Sequence, residues 1–339
     1  GELDIRFSTN IAEDELLIYG SLGTGTWLTQ ETKTRASSSY MLNLTVLPNT
    51  DGVSRTVYIY FVKVTDMESI VVEIVTIIQR GEVASESTDY SSDKKVRVLQ
   101  TAKLGKGLPI VLMGDGFIDT EINDGTYDAV MDKAFENLFT EEPIKSLRDY
   151  FNVYAVTAVS KHNIFGTGYE TALGCELAGG NSTGISGEDN AVQRYVQCVD
   201  NIDMSETLAV VILNSPAYAG TTYFGYTNQT KVVEFAIAYC PVIYDLQSES
   251  FRQVLVHEAV GHGFAKLEDE YAYQENGTIS SKEIKNVQYL QTLGWAQNVD
   301  FTSDPSQVLW SAFLNDNRYV SEKLGVFEGA CTYIKGAYR

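Results

Sequence analysis

Two of the three histidines in this 339-residue chain lie five positions apart, and a glutamate directly follows the first of them. Neutral imidazoles bind Zn²⁺, and a carboxylate beside such a ligand can take a proton from a water molecule that the metal activates. These residues therefore predict a metal-dependent hydrolase in which His257 and His262 are ligands and Glu258 is the general base. The alternative is that they are two ordinary histidines on a partly buried helix.

The five-residue spacing does not suit a regular α-helix. Five residues turn through roughly 500° and leave the two rings about 140° apart, whereas four residues leave them about 40° apart. A π-type widening absorbs one extra residue through an i→i+5 hydrogen bond and would bring His262 back beside His257. Gly261 could ease that distortion. If the pair binds zinc, we expect a π-bulge around residues 259–261.

A catalytic zinc needs a third protein ligand, and three carboxylates lie six to eight residues after His262. If the chain turns back after Gly263, a carboxylate such as that of Asp269 could reach the metal. If the helix instead runs straight on, Asp269 lies roughly 10 Å along the axis from His262 and cannot share its ion. The sequence therefore predicts that the helix ends soon after the second histidine.

The run HEAVGHGFAKLEDEY, which begins at His257, resembles the signature of the M64 family of metallopeptidases, whose type member is a bacterial immunoglobulin A peptidase. The family continues into a G-F-x-x-L-x-D-E-Y element and usually has glycine where Ala265 stands here. The resemblance implies a zinc peptidase with Asp269 as the third ligand and Glu270 as the close rival. Glu268 matches a variable position, so we expect it to be solvated.

Four further blocks resemble the same family and occur in its order: residues 108–117 (LPIVLMGDGF), 143–156 (ending in FNVYAV), 210–220 (VVILNS, then YAG) and 327–339 (FEGA, then GAYR). With the histidine motif they extend the resemblance over residues 95–339. The family pattern usually continues into a methionine-bearing segment, and no methionine follows Met204 here. Either that segment lies beyond Arg339 or this member does without it.

Other polar residues are weaker candidates. Asp115, between two glycines at a predicted strand end, either accepts a hydrogen bond from a ligand histidine or forms a turn that caps the next helix. His162 lies in a loop-like stretch and is expected to be a surface histidine rather than a ligand. Tyr333 and Tyr338 could donate to an oxyanion, but a chain with 21 tyrosines offers many bystanders.

Composition limits the partners. The hydrophobic content of 44% suffices for a substantial core, and the length suggests about two domains. The net charge of −20 argues against nucleic-acid or anionic-membrane binding, since both need basic patches. The longest apolar run, residues 70–78, is too short to cross a bilayer. We expect a monomer with a protein or glycoprotein substrate, no nucleic-acid partner and no membrane insertion.

The four cysteines, Cys175, Cys198, Cys240 and Cys331, have no close CxxC spacing, so a structural zinc cluster is not expected. Cys175 and Cys198 could form a disulfide in an oxidising compartment, and free buried thiols are the alternative. The composition agrees with a secreted enzyme. Together with the family resemblance, it leads us to expect a bacterial protein that is secreted, periplasmic or on the cell surface.

The first 82 residues differ from the rest. Alternating patterns predict strands at 40–46 and 56–62, at hairpin spacing around a turn at 49–52, and another strand at 69–79. This is typical of an immunoglobulin-like β-sandwich. Trp27, the turn and the closing strand resemble a BACON domain, a module common in Bacteroidetes surface enzymes. Such a domain either spaces the enzyme or contacts glycans, and we favour the first.

Residues 83–94 are polar and lack apolar periodicity, which predicts a linker. Beyond it, predicted strands at 109–113, 153–159 and 208–213 alternate with predicted helices at 127–139 and 251–266. We therefore expect an α/β (α+β), zincin-like metallopeptidase domain over residues 95–339, after an all-β sandwich over residues 1–82.

These predictions together describe a secreted zinc endopeptidase that cleaves host or environmental proteins. Immunoglobulin A and mucin-like glycoproteins are candidate substrates, although neither follows from the residues themselves. The alternative belongs to another class: a metal-free surface adhesin or binding module built on a peptidase fold. The five-residue histidine spacing keeps that alternative open.

Overall fold

The computed structural model describes residues 2–8, 11, 15–20, 28–36, 39–46, 55–65, 69–79, 84–177, 184–224, 227–228, 231–232, 235–243 and 245–339. The N-terminal strands are β1 (Glu2–Ser8), β2 (Leu16–Gly20), β3 (Leu28–Ala36), β4 (Ser39–Val46), β5 (Arg55–Val64) and β6 (Ser69–Gln79). They form two antiparallel three-stranded sheets, in the orders β1-β4-β3 and β2-β5-β6.

The three strands predicted in this region are confirmed as β4, β5 and β6, but the predicted hairpin between the first two is wrong. β4 pairs with β1 and β3, whereas β5 pairs with β2 and with β6 along its full length. The connection from β4 to β5 therefore leads from one sheet to the other. Trp27 and the predicted turn at 49–52 lie outside the described residues.

The second group of strands is β7 (Val96–Gln100), β8 (Leu108–Asp115), β9 (Phe151–Val156), β10 (Glu176–Leu177), β11 (Ile185–Ser186), β12 (Leu208–Leu213), β13 (Thr221–Phe224), β14 (Thr227–Asn228), β15 (Lys231–Val232), β16 (Ala236–Pro241), β17 (Glu328–Ala330) and β18 (Tyr333–Tyr338). Six of them form one sheet in the order β13-β16-β12-β8-β9-β7. β16, β12, β8 and β9 run parallel, and the edge strands β13 and β7 run antiparallel to their neighbours.

The helices are α1 (Asp119–Asn123), α2 (Thr126–Leu138), α3 (Asp189–Val196), α4 (Glu249–Leu255), a π-helix (Val256–Phe264), α5 (Ser281–Thr292) and α6 (Ser311–Leu314), with 3₁₀ turns at Arg148–Tyr150, Met204–Glu206 and Asn317–Glu322. The predicted helix at 127–139 and the predicted strands at 109–113 and 208–213 are confirmed. The strand predicted to reach residue 159 ends at Val156. No helix in the described ranges is long and apolar enough to cross a membrane.

Both faces of the central sheet are covered by helices. Every residue of β12 and β16 is buried, as expected for parallel strands whose sequences are continuous apolar runs. Ile110, Leu112 and Val210 pack on one face with residues of α2, α4 and the π-helix. On the other face, Val111 and Met113 pack with α3. The predicted α/β architecture is confirmed, and it fixes the π-helix against the sheet.

Residues 84–94 contact the second group of elements closely. The Ser87 hydroxyl donates to the Ser160 carbonyl at 2.7 Å, and one Asp119 oxygen accepts from the backbone N–H groups of Thr88 and Asp89 at 2.9 and 2.7 Å. Lys94 N donates to the Thr157 carbonyl at 2.8 Å. Polar side chains satisfy backbone groups in such segments, so a polar composition does not require a free linker. We propose that the domain boundary lies before residue 84.

A smaller apolar cluster lies near the end of the chain and includes Ile279, Val287 and Val299. The backbone of this region holds the segment that follows the π-helix. Cys331 N donates to the Asp269 carbonyl at 2.8 Å, and Thr332 N donates to the Tyr271 carbonyl at 3.1 Å. The carboxylates after the second histidine are thereby placed by residues more than 60 positions further along.

Candidate active site

The helix that carries the two histidines changes type at Val256. α4 begins with the Ser248 side chain as its N-terminal cap, and the following nine residues form a π-helix. Its end is marked by an i→i+5 bond, in which Ala265 N donates to the Val260 carbonyl at 2.9 Å. The predicted widening is therefore present, and it extends from Val256 to Phe264 rather than being confined to residues 259–261.

The widening brings three side chains together. The Nε2 atoms of His257 and His262 lie 3.1 Å apart. The Asp269 Oδ1 atom lies 3.4 Å from the first of these nitrogens and 3.2 Å from the second. Oδ1 is buried, yet it accepts no hydrogen bond of good geometry. The three residues predicted as ligands thus meet at one point.

The chain reaches Asp269 because it turns sharply after Phe264. Lys266 has a φ of 55°, in the left-handed region, and its carbonyl accepts from Ala296 N at 2.8 Å. Leu267 N donates back to the Gly261 carbonyl at 3.0 Å. Ala265 has a φ of −81°, so the position where the family usually has glycine does not require one here. The predicted end of the helix is confirmed.

The buried ammonium of Lys266 stabilises this turn. Lys266 is only 6% exposed, its Nζ donates to the Gly263 carbonyl, and it lies 5.8 Å from the centre of the Trp295 ring. A buried charge is tolerated when it is hydrogen-bonded and faces an aromatic ring. Both the backbone and the side chain of Lys266 therefore stabilise its left-handed conformation.

The neighbouring carboxylates have other surroundings. Glu270 is exposed and accepts a hydrogen bond from Asn298 Nδ2 at 3.0 Å, so the rival ligand is not brought to the histidines. Glu268 lines the same cavity as the histidines, and burial raises the pKa of its carboxyl. The expectation that Glu268 is solvated is wrong, because the Asn298 side chain accepts from the Glu268 backbone N–H and donates to the Glu268 carbonyl, which holds the segment inward.

The geometry of the three atoms fits a tetrahedral metal ion. Ligands at 2.0–2.1 Å from Zn²⁺ are separated by about 3.3–3.4 Å at the tetrahedral angle, and the three observed separations are 3.1, 3.2 and 3.4 Å. His262 Nδ1 lies 2.7 Å from the Leu267 carbonyl and must donate to it. The lone pair of a neutral His262 is therefore on Nε2 and faces the other two atoms.

The surroundings of the cluster stabilise the charged forms of both His262 and Asp269. Burial alone would lower the pKa of His262, but the Asp269 carboxylate and the Leu267 carbonyl outweigh it and raise the pKa to about 9. Burial would raise the pKa of Asp269, yet the two imidazoles hold it well below the usual range. Two nitrogens and one carboxylate oxygen form a donor set that suits zinc.

Glu258 lies beside this cluster and is held by the edge strand β13. Its Oε2 accepts a hydrogen bond from Thr222 Oγ1 at 2.7 Å. A Cβ added at Gly220 would lie 2.6 Å from Oε1, so the other oxygen abuts the glycine. Burial raises the pKa of Glu258, while the Thr222 hydrogen bond opposes that rise. The sequence does not reveal the role of Thr222, which follows the YAG block by two residues.

These groups surround an open cavity of about 270 Å³. It is lined by Gly220, Thr221, Thr222, His257, Glu258, His262, Glu268, Asp269 and Tyr271. A larger cavity of about 610 Å³ lies beyond Glu270, among aromatic side chains that include Trp310 and Phe327. None of the three ligand candidates lines this larger cavity, so cavity size alone does not locate the histidine cluster.

The weaker candidates lie elsewhere. Asp115 accepts four hydrogen bonds, from Ser160 Oγ, Thr171 Oγ1, Leu173 N and Cys175 N, at 3.1, 2.7, 3.0 and 3.0 Å. Both of its oxygens are therefore used to tie the following loop to the end of β8, and none of these bonds comes from a histidine.

The third histidine and the two C-terminal tyrosines are also not part of the cavity. His162 Nδ1 accepts from Glu170 N at 2.9 Å within its own loop, and His162 does not line the cavity. Tyr333 and Tyr338 belong to β18 and do not line the cavity. The predicted oxyanion role is therefore not supported for either. All four cysteines are free thiols, so Cys175 and Cys198 are not bridged.

The family model described as IgA Peptidase M64 matches residues 96–321, which is two thirds of the chain. The chain belongs to the M64 peptidase family. The match confirms the resemblance and includes the histidine motif, with the blocks at 108–117, 143–156 and 210–220. M64 membership indicates a hydrolase that acts on protein substrates, and it suggests a metal cofactor.

A second family model, BACON, described as a putative N-terminal binding domain, matches residues 17–80. It confirms the architecture expected for the N-terminal region of this M64 peptidase. Comparison with curated proteins gives no match.

Proposed function

We propose that this M64 peptidase is a secreted or cell-surface zinc endopeptidase with a zincin-like catalytic domain. His257, His262 and Asp269 would hold the zinc, and Glu258 would be the general base. The observation that carries this proposal is the convergence of two imidazole nitrogens and one carboxylate oxygen within 3.1–3.4 Å of one another, beside a buried glutamate.

Bound zinc supplies the Lewis acidity that polarises a peptide carbonyl and makes a water molecule a better acid. The protein's own proton carrier is Glu258. Its carboxylate takes the proton from the attacking water and later gives it to the nitrogen of the leaving amine. Burial raises the pKa of Glu258, which suits a group that must accept and then release a proton near neutral pH.

Thr222 and Gly220 position this proton carrier. The Thr222 hydroxyl also lies 2.9 Å from the Glu258 carbonyl, so one side chain joins β13 to both the backbone and the carboxylate of the helix. Gly220 leaves room for Oε1. The carboxylate is therefore fixed beside the cluster rather than free to rotate away.

The position of the cavity suits a polypeptide substrate. β13 forms one wall, and among the described strands it pairs only with β16. Its outer edge, which pairs with no other described strand, could therefore receive an extended chain. An open groove at a sheet edge accepts an internal stretch of a protein, which supports endopeptidase activity. Immunoglobulin A and mucin-like glycoproteins remain our candidate substrates, with the BACON module spacing a monomeric enzyme from the surface or contacting glycans.

The metal-free adhesin is less well supported. That alternative rested on the five-residue histidine spacing, which would separate the rings in a regular α-helix. The π-helix places the two Nε2 atoms 3.1 Å apart. The five-residue spacing of the histidines, combined with the π-helix, therefore supports a metal site.

The Glu258→Gln variant tests the proposal. Glutamine keeps the size of the side chain and can still bond to Thr222, so the fold and the zinc content should be unchanged. It cannot accept a proton, and hydrolysis of fluorescein-labelled casein by the zinc-loaded protein should fall by roughly 10²-fold or more. Equal turnover of both proteins would remove Glu258 from the mechanism, and a wild-type protein that cleaves nothing would refute the peptidase function.

A further inference from the structure

Tyr271 is a tyrosine that lines the cavity of the proposed active site beside the two histidines. It follows Asp269 by two residues in an extended segment, so the two side chains share one face, whereas Glu270 faces away toward Asn298. The centres of the Tyr271 and His257 rings lie 6.1 Å apart. The phenol therefore forms part of the cavity wall beside His257.

The contact made by the Tyr271 phenol leaves its own proton available. The Tyr273 hydroxyl donates to the Tyr271 oxygen at 3.4 Å, so that oxygen already accepts one hydrogen bond. The Tyr271 proton is therefore available to an oxygen that enters the cavity and develops negative charge there.

The other hydroxyls that line the cavity have different tasks. Thr222 Oγ1 donates to Glu258, and Thr221 Oγ1 donates to the Gly220 carbonyl at 2.7 Å while it accepts from Ile185 N. Among the lining residues that the structure describes, Tyr271 can turn its proton to a ligand without releasing Glu258 or β13. The backbone that carries the phenol is held in place, because Thr332 N donates to the Tyr271 carbonyl at 3.1 Å.

We propose that Tyr271 is a catalytic residue that donates a hydrogen bond to the carbonyl oxygen of the scissile peptide as negative charge develops there. This inference rests on the proposed peptidase function. Removing one preorganised donor of this kind lowers kcat by about 10²–10³-fold. A residue that only oriented Asp269 would instead change the affinity for the metal.

The test compares three tyrosine variants of the zinc-loaded, full-length chain. Tyr271→Phe removes the hydroxyl of the proposed donor. Tyr273→Phe removes only the neighbouring hydroxyl, which contacts that of Tyr271. Tyr289→Phe is a matched control on α5, where the ring is 52% exposed. Each protein is assayed for kcat and KM on a fluorogenic peptide selected from a random library with the wild type. Zinc affinity is measured by chelator competition, and the affinity for a phosphonate analogue of that peptide by calorimetry.

We expect Tyr271→Phe to lower kcat by about 10²-fold and to weaken the phosphonate by a similar factor, with KM and zinc affinity unchanged. Tyr273→Phe should lower kcat by less than about 5-fold, and Tyr289→Phe should match the wild type. If Tyr271→Phe keeps full kcat, or if excess zinc restores it, the donor role is wrong although the peptidase function stands. If the wild type cleaves no library peptide, both proposals are overturned.

Discussion

The Nε2 atoms of His257 and His262 lie 3.1 Å apart although five positions separate the two residues in the chain. A regular helix would place the rings on different faces, so the pairing depends on the extra residue that the π-helix absorbs. The surrounding packing is adapted to that residue. Val260 is buried, and a Cβ added at Gly263 would lie 2.6 Å from Leu208.

Deleting Val260 should therefore abolish zinc binding and destabilise the fold together. The deletion restores a four-residue spacing, but it rotates every later helical residue by about 100° relative to the sheet. Val260→Ala is the matched control, since it keeps the register, should retain zinc and should cost about 2 kcal/mol in unfolding free energy. Zinc analysis and thermal unfolding measure both effects. A deletion variant that binds zinc and melts like Val260→Ala would show that the widening is a tolerated insertion.

Gly220→Ala should impair catalysis without removing the metal site. The new methyl group would lie 2.6 Å from Glu258 Oε1 and 2.7 Å from Val254 Cγ1, so the carboxylate must move. A displacement of that order lowers kcat by about 10²-fold. Gly277→Ala is the control, because its added Cβ has no neighbour within 4 Å. Zinc content and circular dichroism should be the same for the two variants, whereas kcat should differ, and equal kcat values would contradict the proposed position of Glu258.

Thr222→Val should shift the pH dependence of hydrolysis. Burial raises the pKa of Glu258, and the Thr222 hydrogen bond lowers it by stabilising the carboxylate. Losing that hydrogen bond removes a group that stabilises the carboxylate, so the pKa of Glu258 should rise further. The base must be deprotonated, so the acidic limb of the kcat/KM profile should move to higher pH. Thr222→Ser keeps the hydroxyl and should restore the wild-type profile. Identical limbs in all three proteins would show that Thr222 does not act on the base.

Residues 84–91 should be needed for the stability of the catalytic domain. A protein that begins at residue 84 keeps the hydrogen bonds of Ser87, Thr88 and Asp89 to the domain, whereas one that begins at residue 92 loses them. We expect the shorter protein to melt about 5 °C lower by calorimetry. Equal melting temperatures would restore the linker interpretation of this segment.

The same contacts predict a pH effect on stability. The backbone N–H groups of Thr88 and Asp89 lower the pKa of Asp119 in the folded protein. A lowered pKa contributes stability above the unfolded value of about 3.9, and that contribution is lost as the pH falls through the folded value. Asp119→Asn lacks this titration. The variant should therefore lose less stability than the wild type between about pH 5 and about pH 2, as measured by denaturant unfolding.

The convergence of His257, His262 and Asp269 could be predicted because their residue types and spacing impose a geometric condition. Histidines five apart can share an ion only in a widened helix, and Asp269 can join them only if the chain turns back. Both conditions are met. Glu270 and Asp269 could not be separated from the sequence, because adjacent residues of an extended segment face opposite ways and the register is set by contacts to residues 331 and 332.

Residues that act through tertiary contacts could not be predicted. Thr222 reaches Glu258 because β13 pairs with the far side of β16, and no spacing in the sequence encodes that approach. The prediction of a hairpin between β4 and β5 was wrong for a related reason, because the spacing of strands in the sequence does not determine which sheet each strand joins. From the sequence, Asp115 could equally be an acceptor for a histidine or a turn former. The four hydrogen bonds that it accepts show that it holds the loop that follows β8.

The most direct test of the account is the zinc content of the purified protein after mild chelation and re-addition of zinc, with two matched variants. The wild type should bind about one zinc per chain. Asp269→Ala should lose most of that affinity, while Glu270→Ala, one residue further along, should bind zinc like the wild type. Elemental analysis and chelator competition measure both. A wild-type chain that takes up no metal, or an Asp269→Ala variant that binds it as tightly as the wild type, would contradict the proposed centre.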